Sequence, residues 1–167
     1  MMYFLLSALL TQFIQLGLQP ERHFIDQEIN PQNFRPRLLA YAIFEATNAA
    51  RDSLGFSPLK NEPILDTAAN YQAYRMLREK KMRHVWRSDS RYGNLQRRIR
   101  SFNGQFKSRG ENIARNFILN VGDGEYYFLD EAGRAVTGDG MPIANKTYQS
   151  LARDAVRDWL NSPGHRA

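Results

Sequence analysis

Residues 158–167 read Asp-Trp-Leu-Asn-Ser-Pro-Gly-His-Arg-Ala, and this stretch decides the fold more than any other part of the chain. Apolar residues recur at i, i+3 and i+4 through the segment before it, which predicts an amphipathic helix over about Thr147–Asn161. The helix runs into a Ser-Pro-Gly turn, whose fixed backbone aims the following His165 in one direction. The stretch therefore joins a core-forming helix to an oriented histidine.

Length and composition indicate one globular domain with short extensions. The chain has 167 residues, of which 43% are hydrophobic and 12% aromatic, so it can build an ordinary core and does not have the composition of a disordered tail. Cysteine is absent. Disulfide frameworks and thiolate metal sites are therefore excluded.

The formal net charge of +6 is distributed unevenly. Twelve basic residues lie between Arg75 and Arg109 with two acids, Glu79 and Asp89, so this stretch carries about +10 while the rest is net negative. Such a face attracts polyanions, whether nucleic acid, anionic lipid or anionic cell-wall polymer. The commoner role of such charge is a solvated face that only aids solubility.

The N-terminal segment predicts export. Residues 1–18 are largely apolar but short of the roughly 20 apolar residues of a membrane span, so we expect a signal peptide here and no transmembrane span. No Lys or Arg precedes the apolar region and no small-x-small cleavage site follows, which leaves an N-terminal helix packed on the domain as the alternative. Residues 19–35 are polar and punctuated by proline, so they predict a linker into a domain that starts at residue 36.

Three further helices are predicted from apolar spacing and end signals. The first covers Pro36–Ser53 and stops at Gly55; the second is capped by Asn61 and ends near Lys81. The third covers Tyr92–Phe102, with its arginines facing away from the apolar residues.

Strand patterns fill the region before the last helix. Phe117–Val121 and Glu125–Leu129 predict a strand, a turn and a second strand, and another turn follows at Asp130–Gly133. Helices segregated from a small antiparallel sheet make an α+β fold.

The candidate chemistry centres on Glu111 and two histidines. Glu111 stands beside Asn112, whose amide can lock a turn, and beside Gly110, which permits close backbone approach. A glutamate in this apolar context needs partners, and His84 and His165 are the obvious ones. A His–Glu–His cluster can hold a divalent cation such as zinc or act as an acid/base pair. A buried polar network that fixes loops is an equally good interpretation.

Support for an enzyme is weak. Ser162 is three residues from His165, so the two side chains can meet, but Ser-Pro is also an ordinary helix-ending dipeptide. The chain has no Gly-x-Ser-x-Gly, no phosphate-binding glycine loop and no His-Glu-x-x-His. The third histidine, His23, lies in the predicted linker and is given no role.

Several motifs in a fixed order carry a family resemblance. They are Asn48-Ala49-Ala50-Arg51, Gly55-Phe56-Ser57-Pro58-Leu59, an Ala-Ala helix followed by a histidine, Gly110-Glu111-Asn112-Ile113-Ala114 and Trp159-Leu160-Asn161-Ser162-Pro163-Gly164-His165-Arg166. Over about residues 38–167 the chain resembles the CAP superfamily (cysteine-rich secretory protein, antigen 5 and pathogenesis-related 1; SCP-like) in its cysteine-free bacterial form. The resemblance implies an α-β-α sandwich with a cleft lined by two histidines and one or two glutamates.

By motif position the cleft residues would be His84, Glu111 and His165, with Asn112 and Ser162 shaping it. Ser162 stands where a second glutamate is often found. Family members are mostly secreted binding or signalling modules; some bind sterol or lipid, some a divalent metal, and few are claimed as proteases. The resemblance thus implies a secreted or surface binding module of unknown ligand, with lipid as one class. The basic stretch adds an anionic cell-surface polymer as the other class and is not expected to bind nucleic acid. The alternatives are a metal-dependent hydrolase using the same cleft, and a polyanion binder using residues 75–109.

Two departures from the family pattern are expected. Residues 116–146 resemble an inserted β-hairpin between the Gly-Glu-Asn motif and the last helix. Family chains also continue past the His-Arg turn into further strands, so the domain at residues 36–167 is expected to be incomplete at its C-terminus. Neither the oligomeric state nor the identity of the ligand follows from the sequence.

Overall fold

A computed structural model describes residues 24–122 and 124–166, with the backbone alone of residue 166. The expected signal peptide at residues 1–18 and His23 lie outside these ranges. Within them the elements are helices α1 (Pro36–Ser53), α2 (Pro63–Glu79), α3 (Leu95–Ser101), α4 (Tyr148–Asn161) and α5 (Pro163–Arg166) and strands β1 (Phe128–Leu129) and β2 (Ala135–Val136). Helices with one small antiparallel sheet confirm the α+β prediction. None of the helices in the described ranges has the length and apolar character needed to cross a membrane.

Helices α1 and α4 pack against each other and form the main core. Helix α1 begins at Pro36, where proline's missing N–H costs nothing, and ends before Gly55, whose φ of +76° is the predicted left-handed stop. Helix α4 is capped by Thr147, whose hydroxyl accepts from the backbone N–H of Ser150 at 3.1 Å. The buried side chains that join them are Leu38, Leu39, Tyr41, Ala42, Ile43, Tyr148, Leu151, Ala152 and Val156.

The described part of the segment predicted as a linker is part of the core. Ile25 and Ile29 are buried with the α1 and α4 side chains, Ile29 completely. Backbone hydrogen bonds hold the segment in place, from Ile29 N to the carbonyl of Lys146 at 3.0 Å and from Gln149 N to that of Ile25 at 2.8 Å. The apolar side chains at positions 25 and 29 outweigh the polar and proline residues on which the linker prediction rested.

Helices α2 and α3 form a second packed pair. The residue that precedes α2 is Glu62, not the predicted cap Asn61, whose amide atoms are buried and have no hydrogen-bond partner in the described ranges. Leu65 and Leu77, two of the apolar residues whose helical spacing predicted α2, are 38% and 47% exposed. The buried face instead combines apolar with polar residues, namely Ala68, Met76, Asp66 and Gln72.

The predicted pairing of Phe117–Val121 with Glu125–Leu129 is wrong, although the turn at Asp130–Gly133 is confirmed. Strand β1 pairs with β2 across that turn. Asp130 fixes it, because its Oδ1 accepts from the backbone N–H groups of Ala132 and Arg134 at 3.0 and 2.8 Å. The earlier strand segment pairs elsewhere, since Leu119 forms an antiparallel bridge with Asn145.

Candidate functional site

The structure brings His84 and Glu111 into direct contact. His84 lies in the loop after α2, and Glu111 lies in the extended segment after α3. Nδ1 of His84 is 2.8 Å from Oε2 of Glu111. The imidazole side chain is 46% exposed and the carboxylate only 12%, so the ring stands at the surface with one nitrogen fixed inward. No hydrogen bond to its Nε2 is formed within the described ranges, which leaves that atom available to a ligand.

Arg98 belongs to this cluster and is not among the site residues predicted from the sequence. Its side chain has no solvent exposure and donates a hydrogen bond to Oε1 of Glu111. It also donates to the backbone carbonyls of His84 and Tyr92 at 3.4 and 3.5 Å. A buried guanidinium is tolerated when a carboxylate and further acceptors compensate it, so Arg98 ties α3 to both sides of the site.

The prediction that the arginines of α3 face solvent is therefore wrong for Arg98. This residue lies three positions after Leu95 and next to Ile99, which places it on the apolar face of the helix. An arginine at such a position needs a buried acidic partner. The spacing was thus the available signal, and Glu111 is the partner.

The loop between α2 and α3, which carries His84, is held in place by contacts of its other residues with α2. The buried Trp86 donates from Nε1 to Oε1 of Gln72 at 3.1 Å, and the Arg75 guanidinium lies 4.6 Å from the centre of its ring. Arg75 also forms an ion pair with Asp89. The pKa of Asp89 is lowered, chiefly by the hydrogen bond from the backbone N–H of Tyr92 and then by the side chain of Arg75. These contacts fix the loop independently of any ligand.

His165 does not share the hydrogen bonds of this cluster. It lies on α5, and its Nδ1 is 2.9 Å from Oγ of Ser162, the residue that follows α4. Asn112 is exposed and makes no side-chain hydrogen bond in the described ranges. At Gly110 a Cβ would meet no atom within 4 Å, so the close backbone approach expected there is absent.

The donor set offers little to a metal ion in this arrangement. Across residues 24–122 and 124–166, no group of three or more His, Asp or Glu residues is placed to hold one. Both oxygens of Glu111 are engaged, one by Arg98 and the other by His84. Glu111 therefore acts as the partner that orients the imidazole, a role carboxylates also have behind metal-bound histidines.

The last two of the motifs that carry the family resemblance, residues 110–114 and 159–166, are joined by a hydrogen bond. Nε1 of Trp159 on α4 donates to the carbonyl of Ile113 at 3.2 Å. Asn116 Nδ2 also donates, at 3.2 Å, to Oδ2 of Asp158, the residue before Trp159. The segment that carries Glu111 is thus bonded to the helix that leads to His165.

Comparison with known proteins identifies a family for most of the chain. Residues 44–167 match the family model named CAP and described as the cysteine-rich secretory protein family. The match covers more than half of the chain and includes His84, Glu111 and His165. No curated protein and no solved structure gave a significant match.

Proposed function

Because the chain belongs to the cysteine-rich secretory protein (CAP) family, we propose that it is a ligand-binding module that acts outside the cytoplasm. The exposed imidazole of His84 is the central group of its binding surface. Glu111 and Arg98 hold that imidazole in place, and His165 with Ser162 forms the second group of the same cleft, which Asn112 borders. The ligand class expected for it is a lipid or an anionic cell-surface polymer.

The observation that carries the proposal is the chain of contacts from Arg98 through Glu111 to His84. A ring fixed before the ligand arrives loses little conformational entropy on binding. Its Nε2 accepts a hydrogen bond when the ring is neutral and donates one when it is protonated. The arrangement thus offers one oriented polar group at an accessible surface.

The same contacts favour binding over hydrolysis. A hydrolase that uses Glu111 as general base needs a carboxylate oxygen open to water. The Glu111 side chain is only 12% exposed, and each of its oxygens already accepts a hydrogen bond. Ser162 meets His165, but within the described ranges no carboxylate hydrogen-bonds that ring to orient it. Metal-assisted hydrolysis at His84, Glu111 and His165 remains the second candidate function.

Export and the complete family fold belong to the proposal as well. The apolar segment at residues 1–18 supports export, and N-terminal sequencing of the mature protein tests it, because an intact Met1 in exported material would contradict cleavage. The α-β-α sandwich of the family is supported by two separate helix pairs, α1 with α4 and α2 with α3. These pairs would be its two helical layers.

The binding proposal is tested by NMR of the histidine ring nitrogens. Protein labelled with ¹⁵N in histidine is titrated separately with Zn²⁺, phosphatidylglycerol vesicles and polyphosphate. We expect a saturable shift of His84 Nε2 with the vesicles or the polyphosphate, which the control His23→Asn preserves. The variant His84→Asn, which lacks this signal, should bind the same probe more weakly in a sedimentation assay. If neither of these probes moves the His84 signal, the proposal fails.

Zinc retention separates the two candidate functions. After loading and dialysis, zinc retained by the wild type and lost in both His84→Asn and His165→Asn would favour the metal-assisted hydrolase. Equal zinc content in wild type and variants would remove it. Peptide and ester hydrolysis assays on the same samples show whether any retained metal is catalytic.

A polyanion-binding function through residues 75–109 is supported by the cations that remain outside ion pairs. Arg75, Arg78 and Arg98 pair with acids. The exposed basic residues of the stretch form no ion pair within the described ranges, namely Lys80, Lys81, Arg83, Arg87, Arg91, Arg97, Arg100, Lys107 and Arg109. Binding through them predicts a steep fall of affinity with salt, and a flat response would dismiss this function.

A further inference from the structure

We propose that a concavity of about 720 Å³ between α3 and the segment after it binds an acidic polysaccharide through its carboxylate and hydroxyl groups. It is distinct from the His84–Glu111 site. Its polar lining consists of Gln96, Arg100, Asn103, Gln105, Lys107 and Arg109. We call these residues and the space between them the α3 pocket.

The charge of the α3 pocket is entirely positive. Arg100, Lys107 and Arg109 line it, and none of its lining residues is acidic. All three cations are exposed, and none of them has an acidic partner within the described ranges. Arginine donates two parallel hydrogen bonds that match a carboxylate, and lysine adds a point charge. The pocket therefore favours a ligand that carries several anionic groups.

The amide side chains distinguish this pocket from a merely basic surface. Gln96, Asn103 and Gln105 make no side-chain hydrogen bond within the part of the chain that the structure describes. Each amide offers two donor hydrogens and one acceptor oxygen. Sugar hydroxyls both donate and accept, so they satisfy such amides on both sides. The hydroxyl-rich backbone of a polysaccharide thus complements the amides while its acid groups complement the cations.

The apolar floor of the α3 pocket favours a sugar over a nucleobase. Ile99 is buried and Phe106 half-buried, so the floor presents a small apolar surface that suits the C–H face of a sugar ring. Proteins that hold single-stranded nucleic acid use aromatic side chains on which successive bases stack. Phe106 is the single aromatic among the lining residues of this pocket. A run of stacked bases has no matching platform here.

The backbone under the pocket is fixed before any ligand binds. After α3, Asn103 takes a left-handed φ of 65°, and Gly104 N donates to the carbonyl of Ile99 at 2.9 Å. A Cβ on Gly104 would lie 2.6 Å from Ile99 Cγ2 and 2.7 Å from Ile64 Cγ2, so glycine permits this tight packing against α2. The turn that links α3 to the segment after it, on which the pocket is built, is therefore held by packing against α2.

The α3 pocket and the His84 site use different side chains of the same helix. Arg98 reaches Glu111, whereas Gln96 and Arg100 line the pocket. A test of the pocket proposal is consequently independent of the function proposed for His84. The variant Arg100→Gln/Lys107→Gln/Arg109→Gln separates the two, because it changes the pocket and leaves Arg98, Glu111 and His84 in place.

Calorimetry with oligogalacturonate tests the proposal, with maltohexaose as the neutral sugar and single-stranded DNA of equal charge as the nucleic acid. We expect the wild type to bind oligogalacturonate at least about tenfold more tightly than either control. The triple variant Arg100→Gln/Lys107→Gln/Arg109→Gln should lose about tenfold or more in affinity. The matched triple Lys80→Gln/Lys81→Gln/Arg87→Gln removes equal charge from the same stretch and should lose less than about threefold.

The amide variant Gln96→Leu/Gln105→Leu separates the polysaccharide from a generic polyanion. It should weaken oligogalacturonate binding about fivefold and leave any DNA binding unchanged. Equal losses in the two charge triples, DNA binding as tight as oligogalacturonate, or no measurable sugar binding by the wild type would each overturn the proposal. Circular dichroism of every variant verifies that the fold is intact.

Discussion

The guanidinium of Arg98, which has no solvent-exposed surface, donates a hydrogen bond to Oε1 of Glu111. This pair sets the orientation of the site, because the other oxygen of the same carboxylate holds Nδ1 of His84. Two charges taken out of water are stable together, and each is costly without the other. The site is therefore coupled to folding through one ion pair.

Replacement of Arg98 by methionine should destabilise the protein strongly. The variant Arg98→Met leaves the carboxylate of Glu111 largely buried without its charged partner, so we expect a loss of about 3–5 kcal/mol in unfolding free energy by urea titration. Arg100→Met, an exposed position on the same helix, should change it by less than about 0.5 kcal/mol. A loss below about 1 kcal/mol in Arg98→Met would show that the pair does not hold the site together.

The double variant Arg98→Met/Glu111→Leu separates the cost of the unpaired charge from the loss of packing. It removes both charges and should recover most of the stability lost in Arg98→Met. Its His84 ring should then lose the hydrogen bond to Nδ1, which ¹⁵N NMR of the imidazole reports. A double variant as unstable as the single one would assign the loss to packing.

Local signals explain why the core helices were predictable from the sequence. Pro36, Gly55 and Thr147 act through their own backbone conformation or through a hydrogen bond within one turn. The helix ends that they set can therefore be predicted from residues close together in the sequence. Both α1 and α4 also keep a helical apolar period over at least three turns. These helix-end signals and the apolar period are local, so they do not depend on how distant segments pack.

Contacts between segments that are distant in the sequence were harder to predict from the sequence. Glu111 was expected to have buried partners, but the sequence favoured two histidines, whereas the structure gives it His84 and Arg98. The pairing of Leu119 with Asn145 instead of with residues 125–129 likewise depends on where the chain returns after the β1–β2 turn. Strand register and ion-pair partners are set by tertiary packing, which periodicity does not encode.

Low pH should destabilise the loop that carries His84. The pKa of Asp89 is lowered from its ordinary 3.8, first by the Tyr92 N–H and then by Arg75. A group with a lowered folded-state pKa contributes its stability fully above its unfolded value, and loses it as the pH falls through the folded value.

Wild-type stability should therefore decline more steeply than that of Asp89→Asn as the pH falls below about 4. Arg75→Gln should give an intermediate slope, because the backbone donors to Asp89 remain. Thermal unfolding followed by circular dichroism between about pH 2 and 6 measures these slopes. Parallel curves for wild type and Asp89→Asn would refute the role of this carboxylate.

The loop between α2 and α3 should not tolerate a side chain at Gly93. A Cβ there would lie 2.2 Å from the carbonyl oxygen of Asp89 and 2.4 Å from that of Trp86. Both are backbone atoms, so no side-chain rotation can relieve the clash. Gly93→Ala should thus cost more than about 2 kcal/mol in unfolding free energy. Gly110→Ala, where a Cβ meets nothing within 4 Å, is the matched control and should be nearly neutral. Equal stability of the two variants would mean that the loop rearranges freely.

The hydrogen bond from Trp159 to Ile113 should hold the Glu111 segment against α4. Trp159→Phe keeps an aromatic ring but removes the Nε1 donor, which leaves the Ile113 carbonyl without this 3.2 Å partner. We expect a loss of about 1 kcal/mol and faster amide exchange in residues 111–116. Helix α1 should keep its protection, because phenylalanine retains a ring where Trp159 packs against the core. Asn116→Ala removes an exposed bond to the same helix and should have a smaller effect. Hydrogen exchange followed by mass spectrometry distinguishes the outcomes. An equal loss of protection in α1 and in residues 111–116 would mean that Trp159 stabilises the whole core and does not specifically stabilise the Glu111 segment.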